Sequence, residues 1–389
     1  MPHEDWPSGL RDRSGLSSRV RTVAQPNIVR DRERLEAASR EPFRGVTTSA
    51  GPVTGLYDRT RGTADLSAVD GAARTYLEAL SDGQREATRF PLDDPSRRQW
   101  ANPAVNLLRH GLLLEDLDAT ARDRALGLVR ESLSESGFQT VLNCMRLNRT
   151  IGEIRDEIAD LNELMYWFSL YGDPAPGSPW AWQLDGHHVN VNCTVVDGRL
   201  VTTPTFLGAE PVAAFGGKFA GTWALQAEQD IGSALYASLT DAQRAAATLH
   251  SEMPPDLFTG AGRDNYELDY QGVPFSSFTP SQLALAVDLI GVYVGRERKE
   301  SAEARMAEVV DHLGETHFAW VGHPNPDGVF YYRVHSPVIL IEFEHSHGIM
   351  FDNDHHARNH IHTIVRTPNG NDYGQDCLRQ HHERFHAGK

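Results

Sequence analysis

Two histidines one residue apart open the stretch HIHTIVR near the C-terminal end of the sequence. The stretch alternates between polar and apolar residues, which is typical of a β-strand. Because alternate side chains of a strand share a face, His360, His362 and Arg366 would lie together, opposite an apolar face. Neutral imidazoles bind iron, copper, manganese or zinc, so this spacing indicates a metal site.

Three other stretches carry polar side chains at the same period of two. In VILIEFEH, Glu342 and Glu344 share a face, and in VFYYRVH, Arg333 lies on the more polar face. In HHVNVNCTV, His188 begins the polar face, and a regular strand would turn His187 to the other side. The sequence does not decide which of these two adjacent histidines faces a site.

We expect these four polar faces to converge inside one sheet and to form a metal site with open coordination positions. The candidate metal ligands are His187, His188, Glu342, His360 and His362. An alternative interpretation is that the alternating polar residues form only the solvated face of an antiparallel sheet.

Arginine, aromatic and acidic residues near these ligands predict how a substrate would be bound and how protons would be transferred. Arg333 and Arg366 would bind a substrate carboxylate through paired hydrogen bonds. Trp182 would contact the substrate and shield it from water. Tyr373 and Glu344 would assist proton transfer.

A second metal-binding pattern, HHERFH, occurs close to the last residue of the sequence. His382, Glu383 and His386 match the H-E-x-x-H spacing of zinc proteases, but too few residues follow to supply the usual third ligand. We therefore favour a solvated terminal helix. The histidines of HSHG and DHH are predicted to lie in a loop between two strands.

Composition and charge exclude several classes of function. The chain has 389 residues, a net charge of −16 and no basic cluster, which argues against a nucleic-acid or membrane partner. Its three cysteines are far apart and odd in number, which indicates reduced thiols. Without an apolar leader or a run of about 18 apolar residues, we expect a cytoplasmic protein that acts on a small molecule. Its N-terminal arm is compatible with a homo-oligomer.

Helical and strand patterns occur in separate runs, which favours an α+β fold with a curved, mainly antiparallel sheet built from two strand blocks and flanked by helices. The first part of the chain is poor in apolar periodicity and is predicted to be a flexible arm. We predict an arm over 1–65 and one large domain over 66–389, with helices in 66–172, strands in 182–211, helices in 230–313, strands in 316–366 and a C-terminal helix over 375–386.

Several motifs together resemble one known family. They are LSESGFQTVLNCMRL, MYWFSLYGDPAPGSPWAWQLDGHHVNVNCTVV, PTFLGAEP, YYRVHSP and HIHTIVRTPNGNDYGQDCLRQH. In this order they resemble the bacterial family catalogued as domain of unknown function thirty-five hundred, over roughly Leu77 to His381. The resemblance implies no reaction. It marks as the family's most recognisable positions Gly186, His187, His188, Glu342, His360, His362, Arg366, Asp372, Tyr373 and Gly374.

From these residues we predict a metal-dependent oxidoreductase that acts on a small, carboxylate-bearing molecule. Iron or copper is the favoured metal, and zinc or manganese would suit the same ligands. Two alternatives remain open: a zinc-dependent hydrolase, and a non-catalytic binding module for an anionic small molecule.

Overall fold

One large sheet forms the centre of the protein, in a computed structural model that describes residues 26–58, 63–103, 107–322, 327–348 and 353–386. Its strands are β1 Arg89–Phe90, β2 Leu112–Leu113, β3 Tyr166–Gly172, β4 Trp180–Gly186, β5 Val189–Val196, β6 Arg199–Val201, β7 Thr205–Ala209, β8 Thr248–His250, β9 Val273–Pro274, β10 His317–Gly322, β11 Phe330–His335, β12 Leu340–Gly348 and β13 Asn353–Arg366. The helices are α1 Pro26–Arg40, α2 Ser67–Glu78, α3 Asp82–Thr88, α4 Ala119–Ser132, α5 Glu135–Arg155, α6 Gln226–Ser238, α7 Asp241–Ala247, α8 Pro280–Val294, α9 Lys299–Asp311 and α10 Gln375–His386. This is the predicted α+β fold.

The sheet joins the two predicted strand blocks edge to edge. Its order is β1-β3-β4-β5-β7-β13-β12-β11-β10-β8, with β2 paired to β3, β6 to β5 and β9 to β10. Most pairs are antiparallel, and β7 pairs with β13 at the boundary between the blocks. The polar residues of both blocks therefore belong to one surface.

Alternation divides this sheet into an apolar and a polar face. The apolar face packs with helices α2, α4, α5, α6 and α8 in one core cluster of buried residues. Representative side chains from seven strands are Phe168, Trp182, Val191, Leu207, Val365, Ile341 and Tyr332. Because burial of this face provides most of the apolar contact area, the register of the strands is strongly specified.

Side-chain caps fix the start of several helices. Ser81, Asp118 and Thr240 accept hydrogen bonds from backbone amides in the first turns of α3, α4 and α7. Each cap satisfies an amide that has no partner within its own helix.

The segment before α2 differs from the flexible arm predicted for residues 1–65. Residues 26–58 form α1 and an extended stretch, in which Leu35 and Val46 are buried. Asn369 donates its backbone amide to the Val46 carbonyl at 2.8 Å, and Arg98 Nη1 donates to the Ser39 carbonyl at 3.1 Å. Long-range hydrogen bonds thus hold a segment with little apolar periodicity. Residues 1–25 and 59–62 of that arm lie outside the described residues.

Two further boundaries differ from the sequence prediction. The helical run predicted over 66–172 ends with strand β3, whose aromatic sequence YWFSLYG suits a buried strand. The HSHG and DHH histidines were predicted to lie in a loop, but they belong to β12 and β13. The backbone pairing of these two strands extends beyond the apolar residues that mark it in the sequence, as far as the Gly348–Asn353 pair.

No helix in the described ranges is long and apolar enough to cross a membrane.

Candidate functional site

The sheet register brings the predicted polar residues onto one face. Glu344 pairs with His362 across β12 and β13, and Arg333 pairs with Glu342 across β11 and β12. On the other side of β13, His362 pairs with Gly208 of β7. Directly opposed residues share a face, so the alternation in the sequence identified this surface correctly.

His187 and His188 form the turn between β4 and β5, where the sequence predicted a regular strand. His188 has a φ of 64°, a left-handed conformation that turns its side chain away from strand alternation. The two imidazole rings stack with centroids 3.8 Å apart. His187 Nδ1 lies 2.8 Å from Asn148 Oδ1 of α5. His187 therefore supports the ring of His188 from behind.

Three imidazoles meet at one point on the polar face. The Nε2 atoms of His188 and His360 lie 3.1 Å apart, those of His360 and His362 2.9 Å, and those of His362 and His188 3.4 Å. All three side chains are buried. Lone pairs on three nitrogens this close repel each other unless a proton or a cation lies between them, so this triangle is a candidate site for a cation.

Hydrogen bonds on the far side of two rings orient the Nε2 atoms toward the centre. His360 Nδ1 lies 2.8 Å from the His347 carbonyl, which can only accept, so Nδ1 carries the proton and Nε2 of the neutral ring carries a lone pair. His362 Nδ1 lies 3.0 Å from Glu344 Oε1. Such partners fix the tautomer and ring angle of metal-binding histidines.

Burial controls the charge of this cluster. It lowers the pKa of His188 and His360 well below the ordinary value and that of His362 to about 4. The imidazoles are therefore neutral, as ligands must be. Burial, followed by the charge of Glu342, raises the pKa of Glu344 to about 8.

Gly208 leaves the space in which two of the rings pack. A Cβ at this position would lie 2.9 Å from His188 Cδ2 and 3.0 Å from His362 Cδ2, with the Ile361 carbonyl oxygen at 2.9 Å. The FLGA sequence of β7 thus shapes the site without contributing a polar group.

We expect Gly208→Ala to weaken metal binding by about 10-fold or more, because it displaces two ligand rings at once. Gly127→Ala is the matched control, since a Cβ at that helical position meets no atom within 4 Å. Metal titration of both refolded variants measures the effect. Equal affinities would contradict this role of Gly208.

Asp256 also reaches the site, and sequence reasoning missed it. One ligand atom each of Asp256, Glu344 and His362 lie within 4.8 Å of one another. Asp256 is exposed, but its carboxyl lies among protein atoms, where burial and the charge of Glu344 raise its pKa to about 6. It comes from the turn-rich loop between β8 and β9, where no periodicity points to a face. The carboxyl group of an exposed loop residue thus borders the buried histidines.

Glu342 holds the loop that carries Asp256 and does not join the histidine cluster. Its two carboxylate oxygens accept hydrogen bonds from the backbone amides of Phe258 and Thr259, both at 2.8 Å, and from Tyr331 Oη at 2.9 Å. Because both oxygens of Glu342 already accept these hydrogen bonds, the carboxylate holds the loop in place.

Arg366 has the same kind of role, which differs from the predicted place at the rim. It is fully buried, and its Nη1 lies 2.8 Å from Asp372 Oδ2 and 3.1 Å from Asp264 Oδ1. Its Nε donates to the Thr259 carbonyl at 2.8 Å. Because these partners occupy its N–H groups, Arg366 holds parts of the fold together and is not placed to bind a substrate.

The remaining predicted residues lie away from the three imidazoles. Trp182 is on the apolar face, where it stacks on Phe168 and donates Nε1 to Ser132 Oγ at 3.0 Å, so it does not reach the polar face. Tyr373 is buried and donates Oη to Asp264 Oδ1 at 3.1 Å. Arg333 is on the polar face, beyond Glu342 when viewed from the histidines.

We expect Glu344→Gln to lower metal affinity by about 10- to 100-fold, because a bound cation favours the ionised form of Glu344, and a neutral amide orients His362 and raises its basicity less than that carboxylate does. Competition with a chromogenic chelator measures the change. Glu383→Gln, on the exposed part of α10, is the control. Unchanged affinity in Glu344→Gln would show that the carboxylate does not act through His362.

The fold and the site together define an α+β protein with a buried three-histidine cluster on one sheet. The chain belongs to the family described as Protein of unknown function (DUF3500), whose model matches residues 63–375. This confirms the resemblance seen in the sequence motifs. No curated protein and no solved structure matches the chain.

Proposed function

We propose that the protein is a metal-dependent enzyme whose metal is bound by His188, His360 and His362. The observation that carries this proposal is the convergence of three neutral, buried Nε2 atoms within 2.9 to 3.4 Å of one another. Buried imidazoles usually pair with other hydrogen-bonding groups rather than with one another's Nε2 atoms.

An oxidoreductase is the reaction class that we propose, because neutral imidazole ligands suit a redox-active metal. At a metal–nitrogen distance of about 2.1 Å, ligands at right angles lie about 3.0 Å apart and tetrahedral ligands about 3.4 Å apart. Two of the three separations, 2.9 and 3.1 Å, are near the first value, and the third, 3.4 Å, equals the second. A metal held by these three nitrogens would keep open positions for a substrate and for oxygen. Iron or copper suits this arrangement.

The chain's own groups would orient the substrate and move protons. Asp256, an exposed residue whose carboxyl group lies beside the cluster, is close to Glu344, which lies behind His362. A proton can therefore pass between the buried site and solvent through two carboxylates, while the metal supplies the binding position for a small molecule. A carboxylate on that substrate remains a prediction from the sequence, because Arg366 has other partners.

Metal analysis and oxygen uptake test this proposal. We expect about one equivalent of iron or copper per chain after reconstitution, and oxygen consumption when small hydroxy, keto or phenolic molecules are added to the loaded protein. If the protein binds no transition metal after reconstitution, the proposal is wrong, and a binding module for an anion becomes the better interpretation.

A zinc-dependent hydrolase is the second candidate, and the position of Asp256 favours it. A carboxylate beside a metal-bound water can act as its general base. If zinc is the metal and ester or amide substrates turn over, we expect Asp256→Asn to lower kcat about 100-fold or more, with metal content unchanged. Asp241→Asn, on exposed α7, is the control. A metal-loaded Asp256→Asn variant with full activity would exclude Asp256 as the base.

A further inference from the structure

A second group of buried polar side chains lies farther along the polar face. Arg333 is 1% exposed, and its Nη2 donates to Gln271 Oε1 at 2.8 Å. Among the residues that the structure describes, its Nε and Nη1 have no hydrogen-bond partner. A guanidinium carries five N–H donors and no acceptor, so most of the hydrogen-bonding capacity of this cation is unused.

The neighbours of Arg333 do not supply the missing acceptor. Glu342 lies directly across the strand pair, but its oxygens accept from the loop amides and from Tyr331. The Phe258 ring covers the guanidinium, with its centroid 5.7 Å from Cζ. Nε and Nη1 are therefore left without an acceptor among the described residues, although the Glu342 carboxylate and Tyr331 Oη lie close to the cation.

A second buried side chain with an unsatisfied polar atom, His335, lies two residues after Arg333 on the same face of β11. His335 is 1% exposed, and its Nδ1 has no partner among the described residues. Burial, followed by the charges of Arg333 and His317, lowers the pKa of His335 to about 3. This histidine is therefore a neutral group that can donate one N–H beside the guanidinium, and the ring of Tyr270 borders it with centroids 4.6 Å apart.

Leaving a buried cation without acceptors is costly, whereas a paired one is tolerated. We propose that Arg333 and His335 form a binding site for a small anion, and the planar fork of the guanidinium favours a carboxylate. The site is separate from the three imidazoles, because Tyr331 and Glu342 lie between Arg333 and His362. It does not depend on the proposed metal-dependent reaction.

Acetate is the probe, and its effect is measured as a shift in melting temperature. The background is the His360→Ala, His362→Ala variant, so that acetate bound to a metal does not contribute. Ionic strength is held constant with a bulky sulfonate salt in buffer free of chloride. We expect a saturable rise of about 2 to 5 °C at high acetate, and formate should give a rise of similar size.

The arginine is tested by removing it and by replacing it with a second cation. Arg333→Met should abolish the acetate-dependent rise, and it should change the melting temperature in anion-free buffer only slightly, because Nε and Nη1 have no hydrogen-bond partner to lose among the described residues. Arg333→Lys should raise the half-saturating acetate concentration about 10-fold, because an ammonium lacks the planar fork. Arg124→Met, at an exposed position of α4, should leave the rise intact.

Two outcomes would overturn the anion site. No saturable rise with acetate or formate would mean that water alone satisfies Arg333. An equal rise in Arg333→Met would place acetate elsewhere on the protein. Isothermal titration of acetate into the Arg333→Lys variant provides a second measurement if Arg333→Met does not fold.

Discussion

Replacing both His360 and His362 with alanine is expected to abolish metal binding. Two of the three converging Nε2 atoms are lost, and the remaining His188 would be a single ligand, which does not hold a divalent ion against dialysis. We expect the metal content to fall from about one equivalent to less than a tenth of that value. Elemental analysis after dialysis against buffer measures the change.

The control for this variant replaces a second pair of histidines with alanine. His382 and His386 belong to the H-E-x-x-H pattern of α10, and His382 is exposed. Their double alanine variant should keep its metal. Retention of metal by the His360, His362 variant, or loss of metal from the α10 variant, would contradict the assignment of the site. Far-UV circular dichroism must show that both variants fold.

Replacing Arg366 with methionine is expected to cost about 3 to 5 kcal/mol in the free energy of unfolding. Arg366 is buried against Asp264 and Asp372, and its removal takes the nearest cation from Asp372, whereas Asp264 keeps its ion pair with Arg98. The loop that ends in Asp264 also loses the hydrogen bond from Arg366 Nε to the Thr259 carbonyl. Urea denaturation measures the loss, and Arg124→Met provides the exposed control, with an expected change below about 0.5 kcal/mol.

The deficit of Arg366→Met should shrink at low pH. Burial raises the pKa of Asp372 in the native protein, and Arg366 opposes that rise. Without Arg366 the folded-state pKa rises further, so the carboxylate destabilises the fold above that pKa and ceases to do so as pH falls toward its unfolded value near 4. Denaturation at pH 7 and pH 4.5 tests this sign. A deficit that stays constant or grows on acidification would contradict it.

The arrangement of the polar face was predictable because strand periodicity is strict. His360, His362 and Glu344 share a face whenever their strands are paired in a sheet whose other face is apolar, and the register confirms this arrangement. The role of His188 was not predictable in the same way. Its place depends on a left-handed turn that alternation does not encode.

Partners that are distant in sequence escaped prediction for a different reason. Arg366 has the residue type and position of a substrate-binding group, but Asp264 lies 102 residues earlier, in a loop without periodicity. Asp256 comes from the same loop. The sequence therefore identifies which residues carry charge on the polar face, whereas the fold decides whether each charge is already neutralised.

The histidine cluster lies where β7 pairs with β13, and this position has a consequence for how the chain folds. His188 belongs to the first strand block and His360 to the second, and 172 positions separate them. A metal ion bound by both would cross-link two halves of the chain that are otherwise joined by contacts between residues distant in sequence. Because the three nitrogens meet only once β7 and β13 have paired, the ion would bind after the two halves have joined.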